Sequence, residues 1–422
     1  MAEYTVSQAN IRLLRQDANW LRGVQRWASH YRLLILALVG TVIFHAGLLL
    51  NGTLWDTYDA FVHIFFADHY ARGWFDLWEE RWYTGFTMVS YPPLTHQINA
   101  VLSKVVGLKL GYILLLMIAT VLTTLGVYRF SRLWVGHKAA SYAALFAVVT
   151  SSIAETVHVF GQSPTMFVMG VLLNALPFIW FYVEEGDVKN LFRSWAIIMV
   201  ACAGHHVTTI FGMIFFCGPV MATLLWRKFR SPMLHEREIE EARFRLRDLP
   251  LRVRYRIRRI APSFVRCGIF GVGFIILAVT TVLPYWLWSR SDPITQVTIP
   301  HGSRESFIEE TQIGIMFFLV PWGLNLILLP YVFYKGWTSS SWILTTSLAL
   351  LTLLGTGGTT PIPAKLLGGA FYILTLDRFT FWASIITLPF VGVWFESITE
   401  GRLGRWVRAH FGGFWQVAIP TL

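Results

Sequence analysis

The sequence predicts an all-α polytopic membrane protein, and three observations predict it. The 422-residue chain is 55% hydrophobic and only 14% charged, its apolar residues gather into long runs, and its Lys and Arg fall unevenly between those runs. Mean hydropathy is +0.53. A soluble domain of this size could not hide so much apolar surface, whereas runs bounded by charge are what membrane spans need.

Ten runs approach the roughly 20 apolar residues of one crossing. They lie near 33–50, 110–128, 139–154, 164–183, 191–203, 207–226, 264–287, 313–334, 338–355 and 379–395. Helices are expected, because in lipid every backbone amide must be bonded within its own segment. The first run follows a basic segment and precedes no small-residue cleavage pattern, so it reads as a retained span. The segment Tyr91–Gly107 competes as an eleventh span. Phe414–Leu422 reads as the start of a further apolar stretch, in which the chain would stop. Cys202, Cys217 and Cys267 all fall in apolar stretches at spacings that fit neither a metal nor a disulfide.

Charge tests the topology. With ten spans and a cytoplasmic N-terminus, 27 of the 35 Lys and Arg lie on the cytoplasmic side, seven lie outside, and Lys109 sits at a boundary. Acidic residues divide 12 and 12. That asymmetry obeys the positive-inside rule and places 91–107 as a helix at the outer interface. The expected organisation is a basic cytoplasmic segment over 1–32 and one transmembrane domain over 33–422. Within that domain, 51–109 is an outer loop and 227–263 a basic cytoplasmic loop. The expected location is the cell (inner or plasma) membrane.

The cytoplasmic loop Arg227–Ile260 holds twelve Lys or Arg and five acids. Such a loop anchors topology and attracts anionic headgroups; the rival reading is a docking site for a cytoplasmic protein partner. Nucleic acid is not expected, since no recognised module surrounds the arginines.

The outer loop 51–109 is too long for a simple connector. It carries thirteen aromatics between Trp55 and Tyr91, six acids, and three basic residues before Lys109. Aromatics at this density suit the headgroup layer, and short amphipathic helices are expected. Within it, Asp56, Asp59 and His63 are spaced three and four apart, so on one helix they share a face. Converging there, a carboxylate can act as general base, or hold a divalent cation (Mg or Mn) with imidazole help. The plainer reading is an N-capping aspartate followed by a solvated face. Farther on, Pro92-Pro93 fixes an extended entry after which a helix can start.

The order of these residues resembles a known group. Asp59 and His63 are followed by Ala71-x-Gly73, Trp78, Tyr83-x-Gly85-Phe86 and Tyr91-Pro92-Pro93-Leu94. Near the C-terminus stand Leu354-Gly355-Thr356-Gly357-Gly358-Thr359-Thr360-Pro361, then Asp377-Arg378-Phe379 and Trp382. Together they resemble the GT-C superfamily of membrane glycosyltransferases. Within it, they are most similar to bacterial and archaeal membrane proteins labelled "6-pyruvoyl-tetrahydropterin synthase-related". The resemblance implies a GT-C-like bundle of about ten transmembrane helices with amphipathic helices in the first outer loop. It implies transfer of a sugar from a polyprenyl-phosphate-linked donor on the outer face. It places the acid that activates the acceptor or binds a metal at Asp59, with Asp56 as rival and His63 beside it. Arg378 would face the donor phosphate, where a guanidinium forks onto two oxygens, and Lys365 is a second candidate. Backbone N–H groups of Gly357 and Gly358 would be offered to an anion; a flexible turn is the plainer reading. Two departures from the group are expected: neither a soluble C-terminal domain nor more spans, and Asp56 separated from Asp59.

His158, His205 and His206 are expected on the same outer side, as is Glu155. Two other classes of function remain open: a non-catalytic membrane subunit or scaffold of a larger complex, and, less favoured because no inverted halves are visible, a transporter.

Overall fold

A computed structural model describes residues 28–82, 84–89, 91–230, 249–291 and 300–410. Tyr83, most of the arginine-rich loop and Phe414–Leu422 lie outside the described residues, as does nearly all of the basic N-terminal segment. The chain is an all-α polytopic membrane protein. A helix lies over each of the ten apolar runs, but not all ten helices can cross alone. Among the described residues seven are long and apolar enough: Arg32–Leu50, Leu108–Ser131, His137–His158, Ser163–Glu185, His206–Arg230, Arg256–Trp288 and Asp377–Trp406. The eighth run forms two helices, Thr311–Trp322 and Asn325–Trp337, bent by 60°. The bend falls at Gly323, whose φ of +46° a side chain rarely adopts. The other two runs form Val188–Gly204 and Trp342–Leu354, 17 and 13 residues long. Thirteen residues rise only about 20 Å, short of the hydrocarbon thickness. A helix this short reaches across only where the bilayer thins around it.

Burial orders the bundle. Ser163–Glu185 is 78% buried within its apolar window and forms the central helix, while Arg256–Trp288 is only 11% buried and lies at the rim. Its Phe264, Ile269, Val272 and Ile276 are exposed, as the lipid-facing side of a rim helix should be. The central helix meets Leu108–Ser131 at close range. A Cβ on Gly126 would come within 2.7 Å of Leu173, and one on Gly170 within 2.9 Å of the Thr123 backbone. Asn174 Nδ2 then donates to the Leu122 carbonyl at 2.8 Å. Small residues that let backbones approach, with a polar side chain crossing the seam, are how helices associate in lipid.

The loop 51–109 folds around two 13-residue helices, Ala60–Arg72 and Leu94–Val106. Between them is an antiparallel hairpin pairing Trp78 with Thr87 and Glu79 with Phe86. The hairpin was not foreseen from the aromatic composition. Gly85, at φ +104°, turns it against the Trp78 ring. Buried Glu79 locks its base, accepting from Arg81 Nε at 2.7 Å and pairing with His69 Nδ1 at 2.9 Å. The helix Leu94–Val106 covers the segment that had competed as an eleventh span, and it too is short of a crossing.

Candidate functional site

Asp59 stands at the N-terminus of Ala60–Arg72, but its carboxylate makes no capping hydrogen bond. The plainer N-cap reading therefore does not hold, and the carboxylate is left for other work. The backbone around it is fixed by the loop after His158. Tyr58 N–H donates to the Val159 carbonyl at 3.0 Å and Asp59 N–H to that of Phe160 at 2.9 Å. Gly161 then turns at φ +67°, where a Cβ would lie 2.9 Å from Ala60 N. Tyr112 anchors this turn by donating to the Gly161 carbonyl at 2.6 Å.

The same loop reaches the far end of the chain. Gln162 Nε2 lies 3.5 Å from Asp377 Oδ2. Asp377 and Arg378 open the helix Asp377–Glu400, so one turn of chain touches both halves of the resemblance. Arg378 sits at the centre. Its charge acts on Asp59, His63, His205, His206 and His301, and its side chain is within hydrogen-bonding reach of the Tyr91 hydroxyl. Asp377 Oδ1 and Arg378 Nε are buried with no partner among the described residues. An acceptor and a donor thus face the interior of the site. Glu155, buried, lies within reach of the Asp377 charge.

Electrostatics gives these groups different characters. Burial raises the Asp59 pKa above the ordinary carboxylate value; Arg378 opposes this and Asp377 adds to it. A carboxylate so raised is a stronger base than one in water. Burial holds His63 well below its ordinary pKa, assisted by His96 and Arg378, and pushes His96 down to about 3. The two rings are joined by a 3.0 Å hydrogen bond between Nδ1 of His63 and Nε2 of His96. Tyr91 packs edge-on to both rings and stacks on His205, and burial raises its pKa. The resulting centre sets Arg378 among the carboxyl groups of Asp59 and Asp377 and the aromatic rings of Tyr91, His63 and His205.

Several expectations change. Asp56 does not share a helix with Asp59. It ends a separate turn, Thr53–Asp56, and extended Thr57 (φ −90°, ψ 152°) breaks the spacing. Asp56 is exposed. The Gly357 and Gly358 backbone does not form an anion nest. Gly358 N–H is bonded to the Glu305 carbonyl at 3.0 Å, and Gly357 pairs with Ser306. A Cβ on Gly357 would sit 2.8 Å from the Phe307 ring. The glycines are needed for close backbone approach, and that contact braces the loop leading to Arg378. Lys365 is exposed on the short helix Ile362–Leu367. His158 is bonded to His45 at 2.9 Å and Thr53 at 3.0 Å, buttressing the outer loop against the first span. His205 and His206 do face the Arg378 centre, though His205 Nδ1 is engaged with Thr208 Oγ1 at 2.7 Å.

A divalent metal held by Asp59 and His63 does not fit this arrangement. Among the described residues no three His, Cys, Asp or Glu are grouped to hold a metal, and His63 spends Nδ1 on His96. Sequence reasoning assigned no role to five members of the site: Asp377, Tyr91, Gln162, His96 and His301. Asp377 had a visible signal, an acid beside the arginine already chosen, but such a pair more often reads as solvated. Gln162, His96 and His301 had none.

No protein-family model matches the chain, and no curated protein matches it. Among solved structures, a similar one is the archaeal oligosaccharyltransferase AglB from Archaeoglobus fulgidus, in complex with an inhibitory peptide and a dolichol-phosphate. The TM-score is 0.47 at 12% identity, over 93% of this chain and 54% of that one. The chain therefore spans about half the length of that protein. The roles assigned to residues below rest on the site's own geometry.

Proposed function

We propose that the chain is a GT-C-type glycosyltransferase that takes a sugar from a polyprenyl-phosphate-linked donor on the outer face of the cell membrane. The observation that carries this reading is the convergence of Asp59, from the first outer loop, with Arg378, from the head of the last long helix. In this reading the chain crosses ten times, with its N-terminus cytoplasmic and 51–109 outside.

Asp59 accepts the proton of the acceptor nucleophile as that atom bonds to the anomeric carbon. The bond from that carbon to the phosphate oxygen breaks, and the electron pair leaves with the polyprenyl phosphate. Arg378 faces the charge that develops there, where a preorganised donor is worth most. Asp377 adds a second carboxylate charge that opposes Arg378 at Asp59, and the Tyr91 hydroxyl lies within hydrogen-bonding reach of Arg378. The neutral His63–His96 pair packs Tyr91 without adding a competing cation.

Asp59→Asn should lower sugar transfer by about a hundredfold or more while the purified protein elutes and melts as the parent does. Undiminished transfer in that variant removes the base from the proposal. Copurification at fixed stoichiometry with other chains, with the Asp59 variant fully functional, would favour the non-catalytic subunit instead.

A further inference from the structure

The hairpin of the loop 51–109 holds a second built site, apart from the Arg378 centre. It stands at the C-terminal end of Ala60–Arg72, the helix whose N-terminus presents Asp59, about 20 Å away at the helical rise. There the turn after Gly73 and the first strand of the hairpin form a cavity of about 270 Å³, lined by Arg72, Asp76, Trp78, Glu79, Glu80 and Arg81. That is room for a sugar ring.

Hydrogen bonds fix the walls of the cavity in advance. His69 lies between the Glu79 carboxylate at 2.9 Å and the Asp76 carbonyl at 2.8 Å. Trp78 N–H donates to Asp76 Oδ1 at 3.0 Å. Arg81 forks onto both Glu79 oxygens at 2.7 and 2.6 Å, and Arg72 pairs with Asp68 one turn back. The Trp78 ring leans on Gly85, where a Cβ would lie 2.3 Å from it, yet 52% of the residue is exposed. Planar groups held in place spare a ligand the cost of ordering them.

The lining sets an apolar ring beside polar groups of both kinds. Asp76 and Glu80 are exposed acceptors, and each arginine carries more N–H donors than its carboxylate partners use. A pyranose has the complementary surface: a face of C–H groups that stacks on indole, and a rim of hydroxyls that donate and accept. Three lining carboxylates against two guanidinium groups do not favour an anion. A lipid chain would leave the carboxylates unmatched. Among the described residues no three His, Cys, Asp or Glu are grouped to hold a metal. Trp74 and Phe75, exposed in the same turn, extend the aromatic surface for a following ring.

We propose that this cavity binds a neutral sugar ring of a glycan acceptor, whose reacting hydroxyl lies farther along the chain at Asp59. The acceptor role rests on the transferase reading; the binding of a saccharide does not.

The test uses the full chain, purified in a detergent without a sugar headgroup, on an array of neutral hexose and N-acetylhexosamine chains beside sialylated and sulfated ones. The parent should bind at least one neutral class. Trp78→Ala should weaken that binding about tenfold, and Trp78→Phe should restore most of it. Glu80→Gln, at an exposed position on the rim, should also weaken it and serves should Trp78→Ala fail to fold. Binding of no saccharide by the parent, binding of anionic chains alone, or equal binding by the parent, Trp78→Ala and Glu80→Gln overturns the proposal. Binding is read without transfer, so these outcomes leave the Asp59 assignment standing. A fully active Asp59→Asn would remove the acceptor role and not the site.

Discussion

Asp59 is held between opposing neighbours, and that makes its titration a sensitive probe. Burial raises its pKa, Arg378 lowers it and Asp377 raises it. Transfer that needs ionised Asp59 therefore falls away, as pH drops, at a higher pH than for an ordinary carboxylate. Removing the cation in Arg378→Gln should move this acid limb of residual kcat/KM to still higher pH. Removing the second acid in Asp377→Asn should move it lower. Shifts of the same sign in both variants would mean that these charges do not govern Asp59. Gly161 offers an independent test, because it touches no substrate. Ala at φ +67° costs about 1 kcal/mol, and its Cβ would crowd Ala60 N and Thr57, displacing the backbone that presents Asp59. Gly161→Ala should thus reduce transfer far more than it reduces Tm.

At the scale of elements, the seam between Leu108–Ser131 and Ser163–Glu185 depends on Gly126 and Gly170. Gly170→Leu must push Thr123 away, and overpacking of this kind costs about 1–3 kcal/mol. The expected result is a lower Tm and lower yield, with activity lost in proportion to folded protein; an unchanged melting curve would contradict the close approach. The elements also show where sequence reasoning stops. The ten apolar runs were legible because hydropathy is additive along the chain. Asp59 and Arg378 each stand in an ordered motif, and the fold brings their charges together. Asp56 misled because helical spacing was assumed across Thr57, whose extended backbone no composition announces. Gly357 and Gly358 misled because a glycine needed for close packing and one needed for an anion look the same in one dimension. His96, Gln162 and His301 gain meaning only from what packs against them, and nothing local records that.

At the scale of the whole molecule, one helix, His206–Arg230, runs the length of the bundle. Arg378 acts on His206 at one end of it, and Arg230 stands at the other. Lys365→Cys, in the loop that leads to Arg378, should therefore react with a membrane-impermeant thiol reagent from one side of sealed vesicles. Arg230→Cys should react only from the other. Labelling of both from the same side would refute the topology on which the proposed donor side depends. The 17- and 13-residue helices predict local thinning of the membrane around them rather than a uniform belt.

The loop from Val159 to Gln162, which ties Asp59 to Asp377, also sets a timetable. Asp59 leaves the ribosome well before Arg378. Until Asp377–Glu400 is inserted, the raised acid has no counter-charge, so the centre cannot exist on any partly synthesised chain. The charges of Asp59 and Arg378 meet only when Asp377–Glu400 seats against His137–Val149 and its first turn meets Gln162. A chain interrupted before that step would carry Asp59 without Arg378.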